Sequence, residues 1–486
     1  MKHSPLQPLL LAFVTAASLC ALSACAIVRQ PAPPAPKMVD PNRVQLAKDI
    51  KMAQGAWPQA RWWVRYQDPQ LDRLIDFALA RAPAIHVARA RVEQAQAQLA
   101  AVKSGTRLQA IALGLVNRDH VSSNGFLGAF AHDEPALGLT GPWYSEGIVG
   151  AGARYDFDIW GERRSAVQAA VGMRNAQQAE RAEVELVMTT NTAQLYFQIQ
   201  TLLHQEMLLE EAQAIMETTV ASHDARASRG LEAGPRVAEQ RALLMQLEQQ
   251  INLTHAQVRA QREILRALIG AGADELSELA IAPIPTSQLG MPATLSYDLL
   301  ARRPDLQLMH WYVQSSISQV SAAKAAFYPS LDIKAFLGLD SLHLSDLLQH
   351  GSRQMNLVPG LTLPIFDGGR LNANLQRARA VNSDSIEEYN QAVLDAVREV
   401  AMAGVQLQAL AQQEPMQVAK LHEVEVVADS AAAHYKRGLL SRADAATVRL
   451  PVITQEAELL TIHGNQIAQQ IRLIQALGGG FVSSGT

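Results

Sequence analysis

Cysteine is nearly missing from this chain, with two among 486 residues, at positions 20 and 25. Cys20 falls inside a mostly apolar run, Leu9 to Leu22, that follows the positively charged opening Met1-Lys2-His3. A run this short suits a cleaved signal peptide better than a membrane span. The expected mature chain then keeps Cys25 alone, and no disulfide is available to it. Long apolar stretches are also lacking. Past residue 24 nothing approaches the roughly 18 residues that a transmembrane helix needs, so a membrane protein of this composition would have to cross as a closed β-barrel. Charge of one sign is lacking as well. The formal balance is −4, and loss of residues 1–24 removes only Lys2. That excludes a strongly basic nucleic-acid binder. The histidines are scattered, and none forms the His-Glu-x-x-His spacing of a helical metalloenzyme site. Gly270-Ala271-Gly272 and Gly478-Gly479-Gly480 each follow a helical stretch instead of opening one after a strand, and they read as helix stops, not phosphate loops. No catalytic group, metal or cofactor is expected.

What the chain does contain, it contains twice. Pro83 and Lys103 recur as Pro304 and Lys324, 221 positions on. Trp160-Gly161-Glu162-Arg163 recurs as Asp367-Gly368-Gly369-Arg370 at an offset of 207, Arg229-Gly230-Leu231 as Arg437-Gly438-Leu439 at 208, and Ala267-Leu268 as Ala476-Leu477 at 209. Offsets this steady point to an internal two-fold repeat, with about 14 extra residues between Lys103 and Trp160 of the first copy. The expected division is a signal peptide over 1–24, a lipidated N-terminus and tether over 25–56, a first repeat over 57–270, an equatorial linker over 271–300, a second repeat over 301–478 and a tail over 479–486.

Proline is absent from Arg163 to Ser228, a stretch rich in Ala, Gln, Glu and Leu. At 1.5 Å per residue it predicts a helix on the order of 100 Å long, beyond what globular domains use. A second helix is expected over Arg236–Leu268, after a hairpin at Arg229-Gly230-Leu231 and Gly234-Pro235. The second copy predicts a helix from Leu371, a break near Pro415, a run to Tyr435, a turn, and a helix to Leu477. Trp57, Trp62 and Trp63 beside the N-terminal region read as packed core or as an interfacial cluster.

Four segments alternate with a period of two, in β-hairpins over about 107–159 and 330–366. Val149, Ala151, Ala153, Tyr155, Phe157 and Ile159 share one face, with Gly150, Gly152, Arg154, Asp156 and Asp158 on the other. Leu331, Ile333, Ala335, Leu337 and Leu339 oppose Asp332, Lys334, Phe336 and Gly338. Leu357, Leu361, Leu363 and Ile365 oppose Asn356, Gly360 and Thr362. The weakest segment sets Ile111, Leu113 and Leu115 against Ala110, Ala112 and Gly114. One wet and one apolar face fits a soluble sandwich or an outer-membrane barrel. Four strands cannot close a barrel, since about eight are needed. A barrel reading therefore requires oligomerisation to hide the edges, and three copies supply twelve strands. The loops Asp119 to Ser145 and Asp340 to Arg353 would then face outward.

Leu22-Ser23-Ala24-Cys25 resembles a bacterial lipobox, with cleavage before Cys25 and acyl and diacylglyceryl lipid on that residue; an ordinary signal peptide with a chance cysteine is the other reading. Ala26, where an Asp is the usual inner-membrane retention signal, favours the outer membrane. Pro31-Ala32-Pro33-Pro34-Ala35-Pro36 reads as an extended tether. Together with Trp62-Trp63, Asp68-Pro69-Gln70-Leu71, Arg302-Arg303-Pro304-Asp305-Leu306, Tyr328-Pro329-Ser330-Leu331 and Phe366-Asp367-Gly368-Gly369-Arg370-Leu371, these features resemble the outer-membrane efflux lipoproteins of the NodT type, relatives of TolC. Trp57-Pro58-Gln59-Ala60, Gly141-Pro142-Trp143-Tyr144 and Pro292-Ala293-Thr294-Leu295-Ser296-Tyr297 are most similar to a multidrug-resistance subgroup.

The resemblance implies an α+β membrane protein: a homotrimer whose twelve-strand barrel, four strands per chain, joins a helical periplasmic tunnel with an equatorial collar. It also implies docking onto a periplasmic adaptor fed by an inner-membrane transporter, and passive efflux of drugs and other toxic small molecules. Polypeptide export on the same fold, and a coiled-coil lipoprotein that never spans the membrane, are the alternatives. Arg229, Gly230, Leu231, Arg437, Gly438 and Leu439 are the adaptor-contact residues by resemblance; turn geometry alone also accounts for the glycines. Family members close the aperture just after the second tip with a pattern resembling Ser-x-Leu-Asp-x-Leu-Asp. This chain matches at Ser441 and Asp444 and departs at Ala443, Ala446 and Thr447. Arg442, Ala443, Asp444 and Thr447 are the gate candidates, with Arg442 and Asp444 as interchain partners or, alternatively, as solvated charges. Arg154, Asp156, Asp158, Asp332 and Lys334 are the lumen-facing candidates, and their mixed sign gives no strong ion selectivity.

Overall fold

The computed structural model describes residues 34–39, 56–134, 139–276, 279–285 and 302–481. Cys25, the signal peptide, most of the tether, the Pro292–Tyr297 motif and most of the tail lie outside the described residues.

In chain order the elements are α1 (Pro69–Arg81), α2 (Pro83–Ser104), β1 (Gln109–His120), β2 (Trp143–Phe157), α3 (Glu162–Ala227), α4 (Gly234–Ile269), α5 (Pro304–Ala325), β3 (Ser330–Ser341), β4 (Arg353–Thr362), α6 (Arg370–Lys436), α7 (Arg442–Thr447) and α8 (Arg449–Ala476). A 3-10 turn, Trp62–Tyr66, precedes α1. Among the described residues no helix is long and apolar enough to cross a membrane.

Local chemistry sets the boundaries. Asp68 caps α1 by accepting from the backbone N–H of Gln70 (2.8 Å) and Leu71 (3.2 Å), with Pro69 ready-shaped for the first helical position. Asp158 accepts from Arg163 N (3.0 Å) and Arg164 N (2.9 Å) at the start of α3. Asp367 does the same at α6, accepting from Gly369 N (3.0 Å) and Leu371 N (2.8 Å). Gly270 stops α4 in the left-handed conformation, φ 72°.

Contacts divide the chain into two compact units that do not follow the sequence repeats. One is built from Glu93–Asn175 and Trp311–Glu387, the other from Met38–Val92, Ala176–His310 and Glu388–Thr486. Each unit therefore takes part of both repeats.

The first unit holds the antiparallel sheet, in the order β1-β2-β3-β4. β1 and β4 each pair with one strand only. Pro359, which has no N–H to give a ladder, sits in β4 at such an edge, opposite Ile333. Register fixes the faces. Arg154 lies opposite Gln109 and Lys334, and Asp156 opposite Asp332. Ile111, Leu113 and Leu115 pair with Gly152, Gly150 and Ile148, which puts these apolar side chains on the ionic face. Ile111 packs beside Gly152, while the Phe336 ring fills the space over Gly150. The other face carries exposed Val149, Phe157, Leu337, Met355, Leu357 and Leu361. Two expected strand ends are corrected: Asp158 and Ile159 lie beyond β2, and Leu363 and Ile365 beyond β4.

The second unit packs around an aromatic centre. Trp62, Trp63, Tyr66, Tyr196 and Phe197 are buried together with Leu71, Ile75 and Ile85. Trp62 meets Trp63 and Tyr66 edge-on, at 5.8 and 6.3 Å between ring centroids. For Trp62 and Trp63 the packed-core reading holds. α6 corrects a second expectation: it runs unbroken for 67 residues with Pro415 inside it. Proline there removes one backbone hydrogen bond and crowds the preceding turn, yet the rest of the helix carries it.

Candidate functional site

Two hairpin tips close the second unit's long helices, and they are built alike. At the first, Leu231 N donates to Arg226 O (2.9 Å) and Gly230 N to Ala227 O (2.9 Å). At the second, Leu439 N donates to His434 O (3.0 Å) and Gly438 N to Tyr435 O (2.9 Å). This paired register is a Schellman cap, and it requires a left-handed residue. Gly230 (φ 72°) and Gly438 (φ 73°) supply it. The residue that follows each glycine is thrown outward, leaving Leu231 72% and Leu439 70% exposed. Arg229 and Arg437 are exposed beside them.

Beyond the caps the tips differ. Across the first hairpin, Arg241 holds Asp224 with both carboxylate oxygens, at 2.8 and 2.9 Å. His223 Nδ1 meets Glu232 Oε1 at 2.7 Å. After the second tip, Ser441 accepts from Asp444 N (3.1 Å) and its hydroxyl reaches Asp444 Oδ2 (2.5 Å). Ser441 is thus the N-cap that opens α7, and the Asp444 carboxylate accepts from the capping hydroxyl. Thr447 Oγ1 donates to Asp444 O at 2.9 Å, and Ala443 is buried. Within the chain, then, Asp444 and Thr447 serve the local turn, while Arg442 is exposed and makes no ion pair or hydrogen bond among the described residues. The Ser-x-x-Asp spacing is the sequence signal for this cap.

Sequence reasoning missed Arg449. From the first turn of α8 its Nε lies 3.0 Å from Glu211 Oε1 on α3 and a guanidinium N–H lies 3.0 Å from Glu456. Further along, Lys420 and Glu458 join α6 to α8 at 3.0 Å, and Gln417 donates to Gln455 O at 3.0 Å. Side chains alone do not reveal which helices face each other, so the sequence carried no signal for these pairs.

The sheet brings four of the five ionic candidates together. Asp156 accepts from Arg154 (2.8 Å) and from Arg163 (2.6 Å). Asp332 lies 3.9 Å from Arg154 and 3.7 Å from Lys334. Like charges stand directly across the ladder here, which alone would destabilise the pairing; the diagonal opposite-charge contacts offset it. Gly360 permits the arrangement, because a Cβ there would come 2.7 Å from Asp332 Oδ1. Asp158 does not join this set and caps α3 instead.

The Arg302-to-Leu306 motif folds into a charged junction in the second unit. The Arg303 side chain, 8% exposed, forks onto Asp305 and also reaches Glu399 at 2.9 Å. A further N–H meets Ala476 O at 2.9 Å. Burial would lower the Arg303 pKa, but the hydrogen bonds and charges of Asp305 and Glu399 outweigh it and raise it. Glu183 completes the junction. Burial first, then the charges of Asp305 and Glu399, push its carboxyl from 4.5 up to about 7.

The family profile described as outer membrane efflux protein matches residues 74–271 and 295–479. The chain is 47% identical over 460 residues to the multidrug resistance outer membrane protein MdtP of Escherichia coli K12, covering 95% of this chain and 94% of that protein. It is 37% identical over 425 residues to the multidrug resistance outer membrane protein MdtQ of Escherichia coli O6:H1, covering 87% and 89%. The structure superposes on the outer membrane protein VceC of Vibrio cholerae with a TM-score of 0.76 at 27% identity, covering 87% of this chain and all of that one. The Campylobacter jejuni CmeC outer membrane channel gives a TM-score of 0.81 at 21% identity, over 94% and 95% of the two chains. Tips, junction and sheet all lie within the matched residues, and the chain belongs to the outer membrane efflux protein family.

Proposed function

We propose that three copies of this chain join their sheets edge to edge into one twelve-strand barrel and act as the passive exit duct of a tripartite efflux system for drugs and other toxic small molecules. The observation that carries this reading is the four-stranded sheet with two unpaired edges, one ionic face and one exposed apolar face. Such a sheet cannot lie in a bilayer alone, because each unpaired N–H and C=O in hydrocarbon costs several kcal/mol. Edge pairing between copies satisfies those groups and turns the apolar face to lipid. The multidrug-resistance names of MdtP and MdtQ support the substrate class.

In this reading Cys25 carries the lipid that anchors the N-terminus. Leu231 and Leu439 present apolar contacts to a periplasmic adaptor, with Arg229 and Arg437 as flanking charges, and the adaptor connects to an inner-membrane transporter. Arg442 faces its counterparts across the three-fold axis, and Arg449 with Glu211 helps hold the aperture closed. Transport requires no reacting group, and the protein is not an enzyme.

The test is the detergent-corrected mass of the protein extracted from outer membranes, followed by drug resistance in cells. Three chains per particle are expected, and Leu231→Asp with Leu439→Asp should abolish resistance without changing that mass. A stable monomer would overturn the barrel; full resistance in the double variant would overturn the docking role of the tips.

A further inference from the structure

Away from the tips, three ligating side chains converge between the two arms of the first hairpin. Glu206 and Glu210 stand one helical turn apart on α3, which places both carboxylates on one helix face. His255 reaches them from α4, with Nδ1 2.5 Å from Glu206 Oε1. One ligand atom from each of the three lies within 4.8 Å of the other two. The Glu206 side chain is only 12% exposed, and His255 is its one ion-pair partner among the described residues. Glu210 makes no ion pair or hydrogen bond among the described residues.

The second hairpin is an internal control. At the 208-residue offset of the tips, Glu206 becomes Glu414, His255 becomes His463, and Glu210 becomes Val418. The Glu–His pair survives there, with His463 Nε2 3.3 Å from Glu414 Oε1. Gln466 donates to the other oxygen of Glu414 at 2.8 Å, so that site is satisfied by protein groups alone. The first hairpin has instead a third donor and a second negative charge, and among the described residues no arginine or lysine forms an ion pair with Glu206 or Glu210.

We propose that Glu206, Glu210 and His255 form a divalent-metal site that clips α3 to α4, with zinc as the metal class it fits. Imidazole with carboxylates suits zinc and its first-row neighbours, whereas oxygen-only sets suit calcium and magnesium. Zinc holds such donors at about 2.0–2.2 Å, so ligand atoms around one ion lie roughly 3.3 Å apart, a spacing these side chains reach by rotamer adjustment. Three protein ligands leave a fourth position for water. The site does not depend on the efflux reading.

Zinc chloride titrated into metal-free, untagged, full-length protein in detergent tests this by calorimetry. One ion per chain is expected with micromolar affinity. Glu210→Val, which copies the second hairpin, and His255→Ala should each weaken binding at least tenfold, with helical content and particle mass unchanged. Val418→Glu should strengthen zinc binding at the second hairpin. Absence of zinc binding by the unaltered protein, or binding undiminished in Glu210→Val and His255→Ala, would overturn the proposal.

Discussion

Arg449 Nε and Glu211 Oε1 meet at 3.0 Å, so the first turn of α8 is fastened to α3 by a side chain 238 positions away in sequence. The same guanidinium also holds Glu456. Pairs this exposed contribute roughly 0–1 kcal/mol each. Removing both contacts should therefore shift a closed-to-open balance by at most about thirtyfold, the equivalent of about 2 kcal/mol. Arg449→Gln is expected to raise single-channel conductance or open time in planar bilayers. The difference should shrink in 1 M salt, where the pairs are screened. Identical traces for the variant and the unaltered protein would remove Arg449 from the latch.

Glu183 makes stability depend on pH in the unusual direction. Its folded pKa of about 7 lies above the ordinary 4.5, so the folded state holds this proton more tightly than the unfolded chain. The contribution is full below about 4.5 and is lost as pH rises through about 7. The whole swing is on the order of 3 kcal/mol at most. Glu183→Gln should flatten the thermal-stability profile between pH 5 and 8 and melt higher than the unaltered protein at pH 8. A profile that keeps its slope would assign it to other groups.

Arg303 should be the costliest single charge to lose. Its replacement by Met leaves Asp305, Glu399 and Glu183 gathered without a cation, and breaking a buried pair this way costs about 3–5 kcal/mol. Loss of folded particle at temperatures the unaltered protein survives is expected. Arg303→Lys should rescue only in part, because an ammonium cannot reproduce the two-pronged bond to Asp305.

Asp158 separates a capping role from a permeation role. Arg163 N and Arg164 N bond to separate oxygens of Asp158, so Asp158→Asn keeps an acceptor for only one of them while removing the charge; conductance should stay close to the unaltered protein and stability should fall by less than in Asp158→Ala. Asp158→Ala removes the cap and should cost about 1 kcal/mol, read as a lower melting temperature. A conductance change in Asp158→Asn would place the carboxylate in the ion path.

Strands and long helices were legible because their periods differ and because no proline interrupts residues 163–228. Pro415 was misleading: local propensity argues for a break, but a 67-residue helix has enough neighbouring turns and packing to carry one defect. Ile111, Leu113 and Leu115 were misleading for another reason. Their alternation was plain, but only register reveals that they stand opposite Gly152, Gly150 and Ile148 on the ionic face. Asp158 and Asp444 were selected for their charge, but Asp158 caps α3 and Asp444 is bound by the Ser441 cap within its own turn, which single-residue chemistry does not announce. Arg449–Glu211 and the Glu206–Glu210–His255 set stayed invisible because each depends on which helices lie side by side.

The two tips carry the same cap register, and each throws out one leucine. In the proposed docking role, these leucines would give every chain a pair of near-interchangeable knobs. In a three-fold assembly those knobs form a ring of pseudo-sixfold symmetry, two from each of three chains. A partner can then match the channel with twice as many subunits as the channel has, each meeting a nearly identical foothold. The unlike stapling behind the tips, Arg241–Asp224 at one and the Ser441 cap at the other, is what would make alternate footholds yield unequally when pulled.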